Sequence, residues 1–247
     1  MRVQGGFMDP ASTEALSATG GQAPFAAQLH ARLRQRIIRG ELPPGTRLSE
    51  QEIADQCALS RQPVREAFIR LAGEGLLEVR PQRGTFVTRI DMEWVLCTRF
   101  IRESVESDIA RLAAARAQPQ DREALSRQIA RQEAETEPAA LAQLDEEFHA
   151  TLAGIAGKAM VWNHLHQMKM HLDRARHLLT AMTPKDTMLA QHRDVAEAIA
   201  AGDPDRAEAA IRQHLRRVLL DLPGVLRLSP DYFTKTDTLA ETLAAEA

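Results

Sequence analysis

Asp145 and His149 stand four residues apart, a spacing that puts both on one face of a helix. His192 and His214 lie in two later segments, each inside an apolar helical pattern. Ala196, Ile199 and Ala200 follow the first; Leu215, Val218 and Leu219 follow the second. Inward-facing side chains from separate helices of a bundle can converge on one ion. Three neutral imidazoles and one carboxylate suit zinc, nickel, manganese or iron, and the lack of thiolates in the set argues against a structural cysteine-type zinc site. A plainer alternative competes, because Asp-x3-His is common in helices and buried histidines are often merely hydrogen-bonded. Four further histidines, His164, His166, His171 and His177, crowd one segment. The first two face different directions on a helix and read as surface, with His171 or His177 as pocket lining.

A second chemistry appears near the N-terminus. Arg61 and Arg65 are four apart at the opening of a predicted helix, and Arg80 and Arg83 flank a predicted hairpin turn. Over residues 24–90 there are eleven Arg and no Lys against seven acids, although the whole chain carries −3; from 91 onward acids outnumber bases. A basic segment joined to an acidic remainder suits a protein of which one part meets a polyanion.

The elements that must position these residues are legible. Phe25, Leu29, Leu33, Ile37 and Ile38 predict a helix over 25–39, closed by Gly40 and the turn Leu42-Pro43-Pro44-Gly45. Ser49-Glu50-Gln51-Glu52 reads as a capping box, flanked by Leu48 and Ile53 as a hydrophobic staple, and opens a short helix over 50–57. Ser60 is the expected cap of a third helix over 61–74, with Pro63 tolerated in its first turn. Segments 76–80 and 85–88 predict two strands around Pro81-Gln82-Arg83-Gly84. Helix, helix–turn–helix and hairpin together make a winged helix-turn-helix.

From residue 91 to about 222 the pattern predicts six helices and no strands, over 91–116, 120–135, 139–155, 158–182, 185–201 and 204–221, with breaks at Pro119, Pro138, Gly157, Pro184 and Gly202-Asp203-Pro204. Aromatics are only 4%, so an aliphatic, alanine-rich core of packed helices is expected. The expected organisation is a disordered arm over 1–23, a DNA-binding domain over 24–90, an antiparallel helical domain over 91–229 and a tail over 230–247 that docks by Tyr232 and Phe233 before fraying. The arm lacks the apolar core of a secretory signal, no apolar run is long enough to span a membrane, and Cys57 and Cys97 cannot form a disulfide scaffold. A reducing cytoplasm is the expected compartment.

Leu42-Pro-Pro-Gly-Thr-Arg-Leu-Ser-Glu50, Leu59-Ser-Arg-Gln-Pro-Val-Arg-Glu-Ala67, Glu74-Gly-Leu-Leu77 and Pro81-Gln-Arg-Gly-Thr-Phe-Val87 resemble the N-terminal domain of GntR-family transcriptional regulators. Arg102-x3-Glu106 with Ala110-Arg-Leu-Ala113, Asp145-Glu-Glu-Phe-His149, His192-Arg-Asp-Val-Ala-Glu-Ala-Ile199 with Gly202-Asp203, and Ala207-x6-His214-Leu215 resemble the FCD ligand-binding domain of that family's FadR subfamily. The resemblance implies a metal- and organic-acid-responsive bacterial transcriptional regulator, more often a repressor than not, which binds palindromic operator DNA as a homodimer. It implies DNA contacts by Gln51, Ser60, Arg61, Gln62, Arg65, Arg83 and Gly84. It implies a divalent metal, zinc first and nickel or manganese next, on Asp145, His149, His192 and His214, and a small carboxylate effector aided by Arg102. Ala58 stands where the family's turn usually carries glycine, and Lys158 where an asparagine is common. Two other functions fit the same residues in part. A metalloenzyme could activate water on a His3Asp site, but no general base stands at a defined spacing and the winged helix would have no purpose. An architectural DNA-binding protein with a structural metal would leave Arg102 unexplained.

Overall fold

The computed structural model describes residues 22–180 and 184–245, so the arm expected over 1–23 lies almost wholly outside the described residues. The chain forms two compact units. One runs to Asp91 and takes back Ser229–Thr234; the other comprises Met92–Leu228 and the chain from Lys235 on.

In the first unit, α1 (Gln22–Ile38) buries Leu29, Leu33 and Ile37 and packs on α3 (Arg61–Gly73). The cap of α2 (Glu50–Gln56) forms as expected on one side, with Ser49 Oγ accepting the Glu52 N–H at 3.3 Å. Ser60 occupies the N-cap position of α3, but its hydroxyl makes no capping bond. Sequence explains the correction: the third helical residue is Pro63, which has no N–H to donate to a cap. The wing is β2 (Leu77–Arg80) against β3 (Gly84–Val87), antiparallel, with Leu77 opposite Val87 and Arg80 opposite Gly84. A third strand, β1 (Arg47–Leu48), adds to the outer side of β3. Two residues carry no alternation, so the sequence gives no sign of it. The unit ends in β4 (Ile90–Asp91), which pairs in parallel with β5 (Phe233–Thr234). β5 lies in the 230–247 tail, beyond the range over which helices alone were expected. It forms because Phe233 has a buried place to dock.

The second unit is a helical bundle. Its long helices α4 (Met92–Arg116) and α10 (Pro204–Leu228) pack on each other, and α9 (Lys185–Ala201) lies against both. α5 (Pro119–Ala134) and α6 (Pro138–Ile155) pack together, with α7 (Ala159–Met168) on α6 and α8 (Met170–Thr180) on α4. Ala110, Ala113, Ala114, Ala153, Ala198 and Ala207 are fully or nearly buried among Phe148, Leu152, Ile199 and Ile211. Small side chains at these contacts let helix axes approach closely, and large ones fill the remaining volume.

Two helix boundaries differ from the expected ones. The single helix predicted over 158–182 is interrupted at Lys169, whose side chain is buried between Glu146 and Asp173, each 2.5 Å from Nζ. The indole of Trp94 donates to the Met168 carbonyl released by the break, at 3.1 Å. Conversely, α10 runs past its expected end at 221 and through Pro223, because Leu222 and Val225 are buried by its continuation. Proline loses one helical hydrogen bond there; the apolar area removed from water offsets the loss. The expected fraying tail instead forms α11 (Asp237–Ala245).

Ala58, in the turn between α2 and α3, has φ 51°, the left-handed conformation that its Cβ disfavours. Ala58→Gly should therefore stabilise the protein by about 1 kcal/mol, strain relief outweighing the entropy that glycine adds to the unfolded chain. A thermal melt should show an upward shift in the transition of the N-terminal unit; an unchanged or lowered midpoint would mean that the turn carries no strain.

Candidate metal centre and nucleic-acid interface

The α3 pattern divides cleanly. Val64, Ala67, Phe68 and Leu71 face the core, while Arg61, Gln62, Arg65 and Arg70 are exposed on the other side. Arg61 leans toward Glu50 at 3.5 Å and Gln62 bonds Glu66 at 3.0 Å, both loose surface pairings. Arg65 makes no hydrogen bond or ion pair among the described residues. Ser60, its hydroxyl released from capping, is exposed at the same helix start. Gln51 is exposed at the opening of α2, its amide bonded to Asp55 at 2.7 Å. At the wing tip Arg83 is exposed and, among the described residues, donates only its backbone N–H, to Arg80 O at 3.0 Å. Gly84 has φ 110°, so the tip needs glycine for its conformation; a Cβ there would meet only the end of the flexible Arg47 side chain, Nε at 2.9 Å, which can move aside. Arginines at the start of the second helix of a helix-turn-helix, with another on the wing, are placed as base and phosphate readers are.

In the bundle, three helices bring four ligand-type side chains together. α6 supplies Asp145 and His149, α9 supplies His192 and α10 supplies His214. One ligand atom from each lies within 4.8 Å of the others, and all four residues are buried. His192 Nε2 is 3.4 Å from both Asp145 Oδ1 and His214 Nε2. His149 Nε2 is fully buried and has no hydrogen-bond partner among the described residues. An orphaned imidazole nitrogen beside two other imidazoles and a carboxylate is the donor set of a borderline divalent cation. These four side chains would hold the ion, and the ion would offer a positive centre to an anionic ligand.

The electrostatics are those of a dry site. Burial pushes the Asp145 carboxyl up, but the Arg176 guanidinium, 2.9 Å away, and then His192 outweigh it and hold the group well below the usual carboxylate range. Burial lowers the pKa of His192 and, more strongly, that of His214, whose histidine neighbours add to the effect. Both are thus kept neutral, the form that can ligate. Glu106 is fully buried; Arg102 Nε at 2.6 Å and the nearby His149 overcome its desolvation and bring it down to about 2.

Arg102 is thus placed beside the cluster, but on Glu106 rather than open to it. Glu106 Oε2 lies 2.6 Å from His149 Nδ1, although off the direction of an N–H bond. His171 is buried against Trp94, with ring centroids 6.3 Å apart; His164, His166 and His177 are exposed. Reading the sequence for ligands missed Arg176, Trp162, Gln132 and Gln191. Trp162 stacks on His149, centroids 5.6 Å apart and planes at 9°. Gln132 Oε1 is 2.8 Å from His192 Nδ1 and Gln191 Oε1 is 3.1 Å from His214 Nδ1. Gln191 had one local signal, its place beside His192; the other three come from distant turns with no spacing rule linking them to the site.

Comparison with known proteins agrees with this geometry. Residues 25–87 match the gntR family of bacterial regulatory proteins, and residues 99–217 match the FCD domain. The HTH-type transcriptional repressor RspR of Escherichia coli is 34% identical over 216 residues, covering 86% of this chain and 95% of the relative. An uncharacterized HTH-type transcriptional regulator in an unstable DNA locus of Streptomyces ambofaciens is 39% identical over 210 residues, covering 83% of this chain and 88% of the relative. The solved structure of E. coli McbR/YncC shares the fold, with a TM-score of 0.66 at 19% identity over 83% of this chain and 99% of that one. Among the described residues no helix is long and apolar enough to cross a membrane. With its winged helix-turn-helix and its helical FCD domain, the chain belongs to the GntR family of bacterial transcription regulators, a family of DNA-binding proteins rather than enzymes.

Proposed function

We propose that this regulator is a cytoplasmic repressor that binds a palindromic operator as a homodimer and responds to a divalent metal and a small carboxylate effector held in its bundle. The observation that carries the reading is the convergence of Asp145, His149, His192 and His214, buried and within 4.8 Å of one another. Zinc suits the set best, with nickel or manganese as alternatives. A bound dication adds two positive charges to a buried site, which favours an anionic ligand. Arg102, near the cluster and over the Trp162 ring at 5.9 Å, is the proposed partner of the effector's carboxylate. The repressor reading rests on the function named for RspR and on the family. The homodimer rests on the symmetry that a palindromic site mirrors.

On DNA, Arg61, Gln62 and Arg65 would enter the major groove, with Gln51 and Ser60 on the backbone and Arg83 and Gly84 at the wing. Arg61→Ala and Arg65→Ala should each weaken specific binding by about 1–3 kcal/mol, the worth of a bidentate base contact. The fold should persist, because both side chains are exposed. Fluorescence anisotropy on the DNA upstream of the protein's own gene measures it; unchanged affinity in both variants would remove α3 as the reading helix. Affinity should fall steeply with salt through counterion release, with the slope of log affinity against log salt shallower by about 1 in Arg83→Ala. An identical slope would take the wing off the phosphate backbone.

His192→Ala should lower both the bound metal and the response to organic acids while leaving ligand-free operator binding near wild type. Effector can change DNA affinity only through a differential affinity for the two states of the dimer. Elemental analysis beside operator titrations, with and without a panel of carboxylic acids, makes the test. Full metal occupancy or an undiminished response in the variant would displace the site.

A further inference from the structure

The hydrogen bonds behind the imidazoles say more than the ligand set does. Gln132 is fully buried, and its Nε2 donates to the Leu144 carbonyl at 3.1 Å. A carbonyl can only accept, so this bond fixes which way the amide faces. Its Oε1 is therefore the atom 2.8 Å from His192 Nδ1. That oxygen can only accept as well, so Nδ1 carries the hydrogen, and a neutral imidazole has just one. His192 Nε2 is left with a bare lone pair. His214 Nδ1 faces Gln191 Oε1 at 3.1 Å, but among the described residues no second bond fixes that amide's direction as the Leu144 carbonyl fixes that of Gln132.

The bare Nε2 of His192 faces Asp145 Oδ1 at 3.4 Å and His214 Nε2 at 3.4 Å. A lone pair and a carboxylate oxygen directed at each other repel unless a cation lies between them. Moving the His192 proton to Nε2 would give Asp145 an N–H donor and relieve the repulsion. Gln132 Oε1, which needs a donor at Nδ1, forbids that change.

We propose that Gln132 is a positioning residue that locks His192 in the Nδ1–H tautomer and so holds the site open for a cation. The inference rests on the metal reading for its purpose, but not for its geometry. Its consequence for specificity is direct. A locked ring presents Nε2 before any ion arrives, so the ion need not reorganise the core, and outer partners of this kind contribute about 10–100-fold in metal affinity.

The experiment uses the full chain with histidine-selective 15N labelling. In the metal-free protein, long-range 1H–15N correlation spectra should show Nδ1–H and bare Nε2 for His192. An Nε2–H tautomer at His192 overturns the proposal, and no variant needs to fold for that result. Zn2+ is then titrated against a competing chelator in wild type, Gln132→Glu and Gln132→Leu. Both variants lose the bond to Leu144, but only glutamate keeps an acceptor behind His192. Gln132→Glu should bind Zn2+ as tightly as wild type or more so, and Gln132→Leu about 10–100-fold more weakly. Equal affinities in the two would mean that Gln132 only supports the fold, and would overturn the proposal. Wild type that shows the Nδ1–H tautomer at His192 yet binds no Zn2+ supports the lock and rejects the metal reading, so the two failures are distinct.

Discussion

Asp145 is a carboxylate with almost no access to water, seated in the middle of a helical bundle. A buried charge of this kind costs several kcal/mol unless it is paired and hydrogen-bonded. Much of the second unit is arranged to meet that need. Arg176 reaches it from α8, His192 from α9, and its own helix brings His149 to the same side. The alanine-rich contacts of α4, α6, α9 and α10 allow this, because four ligand-type side chains can meet only if three backbones approach closely. The same closeness excludes water, which strengthens the charge interactions inside and lowers the pKa of His192 and His214.

Other buried charges in the unit follow the same logic and fix the register of the helices. Glu103 on α4 accepts from Arg212 at 2.8 Å and Arg216 at 2.7 Å, both on α10, and from Arg99 on its own helix at 2.6 Å. Lys169 bridges Glu146 on α6 and Asp173 on α8 at the break between α7 and α8. Such pairs add little net stability compared with an apolar core, but removal of one partner is expensive. They act as keys. A slip of α10 along α4 would strand Glu103, and an unbroken helix through Lys169 would strand its ammonium group. Packing alone, with so many small and similar side chains, would discriminate poorly among such alternatives.

How far the sequence reveals all this follows from the range of each interaction. Capping and turn chemistry is local, so α2, α3 and the wing are legible to within a residue or two, and so is the i, i+4 pairing of Asp145 with His149. His192 and His214 are legible because each sits in a strong apolar pattern. The break at Lys169 is not, since the residues from 158 to 180 contain no glycine or proline within the helix and the cause is a pair of carboxylates, one of them 23 residues away. Continuation through Pro223 is hidden for the opposite reason: the local signal says stop, and distant burial overrides it. Ser60 shows a local rule defeated by another local rule, a cap whose third-position partner is a proline. Gln132, Arg176 and Trp162 leave no trace because a polar contact between helices has no period.

The two candidate sites differ in what folding does to their charges. On α3 and the wing, Arg61, Arg65 and Arg83 stay in water with weak partners or none among the described residues, so meeting a phosphate or a base edge costs them little desolvation and breaks no strong pair. In the bundle the two arginines beside the site are already paired, Arg102 with Glu106 and Arg176 with Asp145. A ligand whose carboxylate takes either arginine must exchange an existing ion pair. If its carboxylate takes Arg102, Glu106 loses its main partner beside His149; if it takes Arg176, Asp145 turns more fully toward the imidazoles. Either exchange alters the electrostatics of the cation site, so a dication and an acid held in this bundle would sense each other through residues that touch both. Linkage then requires the reciprocal effect, each strengthening or weakening the other by the same factor.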